Sequence, residues 1–296
     1  MLFGCGQCGA ELKVEAHIKT TICPYCDAPS VVERPASAAR PDPVFVVGFV
    51  VQQGNAAELV KNWLGSRSIF SHSGIKKARL EKTRSIYLPA YLYGATAHSR
   101  YSADIGEEYT VTETYTDSQG KTRTRTRTET EWRHLSGVHA CYVSDRIVTA
   151  SRGLPNQELE AVEPFDLRAI RRYSPAMISG WVSEEPSIPQ DECFRMAHQE
   201  AVDYVGRSLS AFMPGDKHRN LQYTTNFDNE HIELVLLPMW VFSARYHPEK
   251  PPVRLCVNGQ TGEVGGKVPL SWIKITIAIL IGLAAIVALV IVLSQS

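Results

Sequence analysis

Cys5-Gly6-Gln7-Cys8 and Cys23-Pro24-Tyr25-Cys26 place four thiols in two CxxC turns separated by about the length of one β-hairpin. Each turn presents two sulfurs to one side of a metal, which is what tetrahedral zinc needs. A redox CxxC or a pair of disulfides is the competing chemistry, and a single CxxC would leave that choice open. Two pairs at ribbon spacing favour one structural Zn2+ per chain on Cys5, Cys8, Cys23 and Cys26. Such a closed set leaves the ion no open position for catalysis. The other three of the seven cysteines, Cys141, Cys193 and Cys256, are scattered, so no disulfide framework is implied and a reducing compartment is expected.

Catalytic signatures are absent elsewhere. No HExxH, GxSxG or phosphate-cradling glycine loop occurs, and His139 two residues before Cys141 shares a strand face without a third group to orient it. The chain therefore reads as no enzyme and has no recognisable small-molecule substrate. One stretch carries concentrated charge: Lys121, Arg123, Arg125 and Arg127 alternate with threonines, so period two puts all four on one strand face. That ladder would suit an anionic surface, an acidic partner or RNA. A solvated hairpin whose arginines deter edge pairing fits better, because no aromatic residues alternate with the arginines to stack bases. The net charge of +0 supplies no global field to attract nucleic acid.

The elements that must position these residues follow from pattern. Residues 1–34 form a zinc ribbon, too small to bury a core without its metal, with His17 read as a solvated strand residue. Residues 35–43 hold three prolines among small residues and read as a flexible linker. The body, 44–268, opens with the apolar strand Val44–Val51, followed by a helix capped at Asn55 with Leu59, Val60, Trp63 and Leu64 on one face. Ile86-Tyr87-Leu88-Pro89-Ala90-Tyr91 can be laid over Val235-Leu236-Leu237-Pro238-Met239-Trp240. In the second copy the strand lies near Ala176–Val182, and a helix from about Ser187 carries Phe194, Ala197, Ala201, Val205 and Leu209. This implies two related strand-helix-strand units, around 44–106 and 174–268, with a long polar hairpin over 107–134 between them. Pro89 and Pro238 cannot donate to a ladder and are expected at a bulge or an edge. Arg254–Gly266 reads as a hairpin around Asn258-Gly259.

From Ile275 to Leu293 every residue but Thr276 is apolar or glycine, about 19 residues spanning roughly 28 Å as a helix. A transmembrane helix over 272–293 is predicted. Lys267 and Lys274 precede it and no basic residue follows, so the N-terminal body is expected in the cytosol, with Trp272 at the interface. The start of the chain shows no secretory signal. The fold class is thus α+β: a zinc ribbon, an α/β cytosolic body and a C-terminal transmembrane helix.

The CPYC knuckle, the YLPAY and LLPMW strands, the YTVTETYTDSQGKTRTRTRTETEW hairpin and VNGQTGEV ahead of the basic and Trp flank together resemble bacterial tail-anchored membrane proteins with an N-terminal TFIIB-like zinc ribbon. The resemblance covers nearly the whole chain. Members are often associated with PspA-like or SPFH-type envelope-stress systems, which implies a recruiter or platform at the cytoplasmic membrane with protein partners of those kinds. By this resemblance Cys5, Cys8, Cys23 and Cys26 map onto zinc ligands, and no residue maps onto a catalytic role. The alternative function is a nucleic-acid-binding ribbon tethered to the membrane. Residues 1–32 hold only Lys13 and Lys19 against Glu11, Glu15 and Asp27, which argues against phosphate binding and favours protein recruitment.

Overall fold

The computed structural model describes residues 2–5, 7–13, 23, 25–26, 31–34, 41–116, 121–178 and 181–294. The element order is β1 (Leu2–Cys5), β2 (Glu11–Lys13), β3 (Val31–Arg34), β4 (Phe45–Val46), α1 (Gln53–Gly65), β5 (Arg79–Thr116), β6 (Thr122–Thr149), α2 (Asn156–Glu160), β7 (Arg171–Arg172), β8 (Val182–Glu184), α3 (Gln190–Phe212), β9 (Lys217–Arg245), β10 (Val253–Asn258), β11 (Val264–Gly266) and α4 (Trp272–Ser294). The chain divides into two compact units. The first comprises Met1–Ala90, Thr149–Pro189 and Leu234–Ser296, and the second comprises Tyr91–Val148 and Gln190–Glu233. The fold is mixed α+β with a strand-rich body.

The first unit carries the strand order β11-β10-β9-β5-β8-β2-β1-β3, with β4 beside β9 and β7 beside β4. Its pairings follow the same pattern about the two LP strands. β4 lies parallel to β9 through Phe45↔Val235 and Val46↔Leu236. At the equivalent positions of the other LP strand, β8 lies parallel to β5 through Val182↔Ile86 and Ser183↔Tyr87. The peptides that follow repeat the pattern. Val50 and Val51 both donate to the Gly259 carbonyl, and Ser187 and Ile188 both donate to the Ala150 carbonyl. Each short strand thus pairs, within one sheet, with the LP strand farther from it in sequence.

The two prolines do not sit on an outer strand of the sheet. On β9, Pro238 falls between the residues paired with β4 and those paired with β10, which begin at Met239↔Asn258. Its carbonyl accepts from Gly259 N at 2.8 Å. On β5, Pro89 lies just past the segment paired with β8, and its carbonyl accepts from Ala150 N at 3.0 Å. Where a strand changes neighbours it needs no amide on that side, so proline is tolerated inside the sheet.

The first helix begins earlier than its sequence pattern predicts: α1 starts at Gln53, and its N-cap Gln52 makes no side-chain cap bond. The backbone bonds of Val50 and Val51 to Gly259 fix the chain's direction before any cap residue is reached. Ala56, Val60 and Leu64 consequently form the buried stripe against Trp240, Phe242, Leu255 and Val257, while Leu59 lies at the exposed margin. The opening strand is also shorter than the run 44–51, because Phe49 leaves the ladder to stack on Trp181 at 4.1 Å between ring centroids.

In the second unit α3 buries Cys193, Ala197, Ala201, Val205 and Leu209 at helical spacing. Phe194, expected on that stripe, flanks it and meets the Tyr93 ring edge-on at 5.9 Å. A smaller cluster joins Ala103, Ile105 and Met213 to Tyr101, Leu135 and Leu221. The long strands β6 and β9 contain left-handed residues at Asp145 (φ 63), Asn220 (φ 53) and Asn229 (φ 55), residue types that tolerate this conformation best after glycine.

The basic ladder is exposed at each of Lys121, Arg123, Arg125 and Arg127. Arg127 is ion-paired to Glu113 at 3.0 Å and Glu129 at 2.5 Å. Residues 117–120 of the predicted turn, most of the linker 35–43, and His17 lie outside the described residues. Among the described residues no helix is long and apolar enough to cross a membrane. The side chains of α4 are described through Val287, and the rest of the expected span lies beyond them.

Candidate metal centre

The first knuckle is built by a tight turn between β1 and β2. Cys5 N donates to Ala10 O at 2.7 Å, Gly9 N returns to Cys5 O at 3.0 Å, and Gly9 takes φ 75, which only a residue without Cβ adopts freely. The second knuckle supplies Cys23 and Cys26. The four sulfurs lie within 4.8 Å of one another. Cys5 Sγ and Cys26 Sγ are 3.4 Å apart, and Cys8 Sγ and Cys23 Sγ 3.5 Å. Metal–sulfur bonds of about 2.3 Å in a tetrahedron give sulfur separations of about 3.8 Å, so the tetrad matches a four-thiolate metal site with little adjustment.

Its electrostatics call for a cation. Burial raises the Cys5 thiol pKa, but the amides of Cys8 and Gln7 and the neighbouring sulfurs outweigh it and bring the value down to about 7. Cys23 moves the other way, pushed up by the Cys8 sulfur and by burial. Four adjacent thiols cannot all ionise without a positive charge between them, and a bound metal supplies it. The four N-terminal cysteines could therefore bind a metal ion.

A buried polar cluster that the sequence does not disclose fastens the knuckle to the first unit. Tyr25, between the two cysteines of the second turn, is buried and donates its hydroxyl to Glu184 Oε2. Ser151 Oγ donates to Glu184 Oε1 at 2.6 Å and receives Gly153 N at 2.9 Å. Arg254 reaches in from β10, donating to the carbonyls of Gly153 at 2.7 Å and Tyr25 at 3.4 Å, and is held by both oxygens of Glu158 at 3.0 and 2.9 Å. Burial drives the Glu184 carboxyl up to about 8 despite these donors. Strand pairing adds to the attachment, since β2 runs antiparallel to β8 through Leu12↔Glu184 and Lys13↔Ser183. A built Cβ at Gly153 would lie 2.6 Å from Tyr25 Cδ2, so only glycine lets the ring seat. A glutamate in the short strand Val182-Ser183-Glu184 was the one available signal, and its partner is 159 residues away.

The second unit holds another polar cluster, in which Glu230 Oε2 accepts from Tyr93 Oη at 2.6 Å and pairs with His198 Nδ1 at 2.8 Å, tying α3 to β9. His139 and Cys141 do not form an activated pair. The His139 ring lies against Phe212 at 4.8 Å, and burial raises the Cys141 thiol, the reverse of nucleophile activation.

Fold and site together define a mixed α+β chain with a four-cysteine knuckle docked on its sheet. The chain is 23% identical over 243 residues to the protein named "Uncharacterized protein YdjG" of Bacillus subtilis (strain 168), an alignment covering 77% of this chain and 64% of that protein. The chain thus spans a little under two thirds of the curated relative's length. No family model matches, and no solved structure matches.

Proposed function

We propose that this chain is a membrane-anchored zinc-knuckle interaction protein. Cys5, Cys8, Cys23 and Cys26 hold one structural Zn2+, and the metal and the Tyr25–Glu184 contact together keep the ribbon folded against the sheet. The observation that carries this reading is the sulfur tetrad at metal-site spacing. The anchor reading draws support from α4, where Trp272, Ile273, Ile277, Ile279, Leu280, Ile281, Leu283, Ile286 and Val287 are all more than half exposed. A helix whose described side chains are exposed and apolar beyond its first turn calls for lipid. With the span completed through Leu293 and the lysines on its N-terminal side, the body lies on the cytosolic face of the inner membrane.

The ribbon ends the strand order at β3, which among the described residues pairs only with β1. Its outer edge is where a partner strand would add. PspA-like or SPFH-type proteins are the partners that the family resemblance implies. The ladder at 121–127 stays a solvated face, with Arg127 already neutralised by two glutamates. The test is affinity isolation from intact membranes of the wild type and of Cys8→Ser/Cys23→Ser. The double variant is expected to lose zinc and one specific protein partner, and an unchanged set of partners would overturn the proposal.

A further inference from the structure

Backbone and side-chain hydrogen bonds hold the root of α4 against the loop after α1. Ser71 bridges to Leu270, Ser271 N donates to Phe70 O at 2.7 Å, and His72 N donates to Pro269 O at 2.9 Å. Lys274 Nζ donates to the carbonyls of Ile69 at 3.1 Å and Ser71 at 2.9 Å, which leaves one of its three protons free. The His72 ring lies 6.0 Å from that of His247 and 5.1 Å from that of Tyr246.

Both imidazoles are held the same way round. His72 Nδ1 accepts from Gly74 N at 3.2 Å, and His247 Nδ1 accepts from Glu249 N at 3.2 Å. In the neutral ring each proton then sits on Nε2, so both rings present a donor. Lys250 is exposed and close enough for its charge to act on His72. The nearby Arg245 is already engaged by Glu81 and by the Lys250 carbonyl. Among the described residues no ion pair engages His72, His247, Lys250 or Lys274. Next to these donors Ile69 and Trp272 are 71% and 75% exposed. Donors with protons to spare and no carboxylate partner, beside exposed apolar side chains, form the surface that an anionic lipid fits, phosphate to the former and glycerol backbone to the latter.

We infer that His72, His247, Lys250 and Lys274 bind the phosphate of an anionic lipid headgroup where α4 leaves the body, an inference that rests on the anchor reading proposed above. The site would fix the orientation of the first unit on the bilayer. A single helical span leaves that orientation free to rotate. Burial and the positive charges of Lys250, His247 and Lys274 hold the His72 pKa below its ordinary value, with Glu249 the nearby carboxylate; a bound phosphate opposes that depression.

The full chain, labelled at histidine ring carbons and assigned with His72→Gln and His247→Gln, is titrated in vesicles of phosphatidylglycerol and of phosphatidylcholine. The His72 midpoint is expected to move upward in phosphatidylglycerol alone, and by less in Lys250→Gln. Equal midpoints in the two lipids would overturn the inference. So would inorganic phosphate reproducing the shift in phosphatidylcholine while phosphatidylglycerol gives none, since the ligand would then be a free anion. Carbonate washing separates this result from the anchor. A chain stripped from vesicles whose His72 still responds to phosphatidylglycerol keeps the headgroup site and loses the span. A chain retained through carbonate with His72 indifferent to lipid charge keeps the span and loses the site.

Discussion

Glu184 is the residue on which docking of the knuckle turns, and its protonation gives the account a pH signature. Burial raises its pKa from 4.5 to about 8, so above pH 4.5 the folded chain holds a proton that the unfolded chain releases. Its contribution to stability is complete below pH 4.5, declines as pH rises, and levels off past about 8. The change is on the order of a few kcal/mol. Urea denaturation at pH 5, 7 and 9 is expected to show this decline in the wild type and a flatter profile in Glu184→Gln. Equal slopes would mean that the carboxyl is ionised in the folded state. Tyr25→Phe removes one donor from the same buried carboxyl and is expected to cost about 1–3 kcal/mol in the same measurement, with the metal retained. At this scale the sequence was legible where chemistry repeats. Four cysteines in two turns announce a metal site, whereas Tyr25, Ser151, Glu184 and Arg254 are single residues whose meaning arises only when distant strands meet.

Elements show the same division. The likeness of the two LP strands was visible in the sequence because Pro89 and Pro238 punctuate similar apolar runs, but the sequence offered no sign that β4 pairs with β9 and β8 with β5. Hydrophobic pattern fixes which face of a strand is buried and leaves its neighbour open. The helix start at Gln53 was missed for a related reason, since the Gly259 carbonyl that directs the chain lies far along the sequence. Gly259 offers a test of this arrangement. A Cβ there would stand 2.6 Å from the Phe49 ring and 2.9 Å from Pro238 Cβ, and Phe49 is held by its stack on Trp181. Gly259→Ala is expected to destabilise by about 1–3 kcal/mol and to perturb near-ultraviolet dichroism from Trp181 and Trp240. Gly48→Ala, with nothing within 4 Å of its Cβ, serves as the control. Unchanged dichroism in Gly259→Ala would contradict the packing of Phe49. For the hairpin, Arg123→Ser/Arg125→Ser/Arg127→Ser is expected to leave co-sedimentation with anionic liposomes unchanged and stability within about 1 kcal/mol. Loss of sedimentation would return the ladder to a lipid-binding role.

For the whole molecule, a four-cysteine knuckle that shares strand pairing with the body joins ribbon and sheet into one structure, and under the proposed reading a bound metal completes it and α4 holds it at the bilayer. The apolar run of the C-terminal segment is plain in the sequence, and the membrane span read from it is a proposal. Partner identity was not, because recognition depends on surfaces that several strands assemble. Truncation after Ser271 is expected to yield a chain that no longer sediments with membranes, and retention through carbonate washing would contradict the anchor. The central claim, however, is the metal. Elemental analysis of the full chain, purified in detergent under reducing conditions, tests it most directly. The account predicts about one zinc per chain in the wild type and its loss in Cys23→Ser. A folded wild-type chain free of bound metal, or one that keeps its zinc in Cys23→Ser, would contradict it.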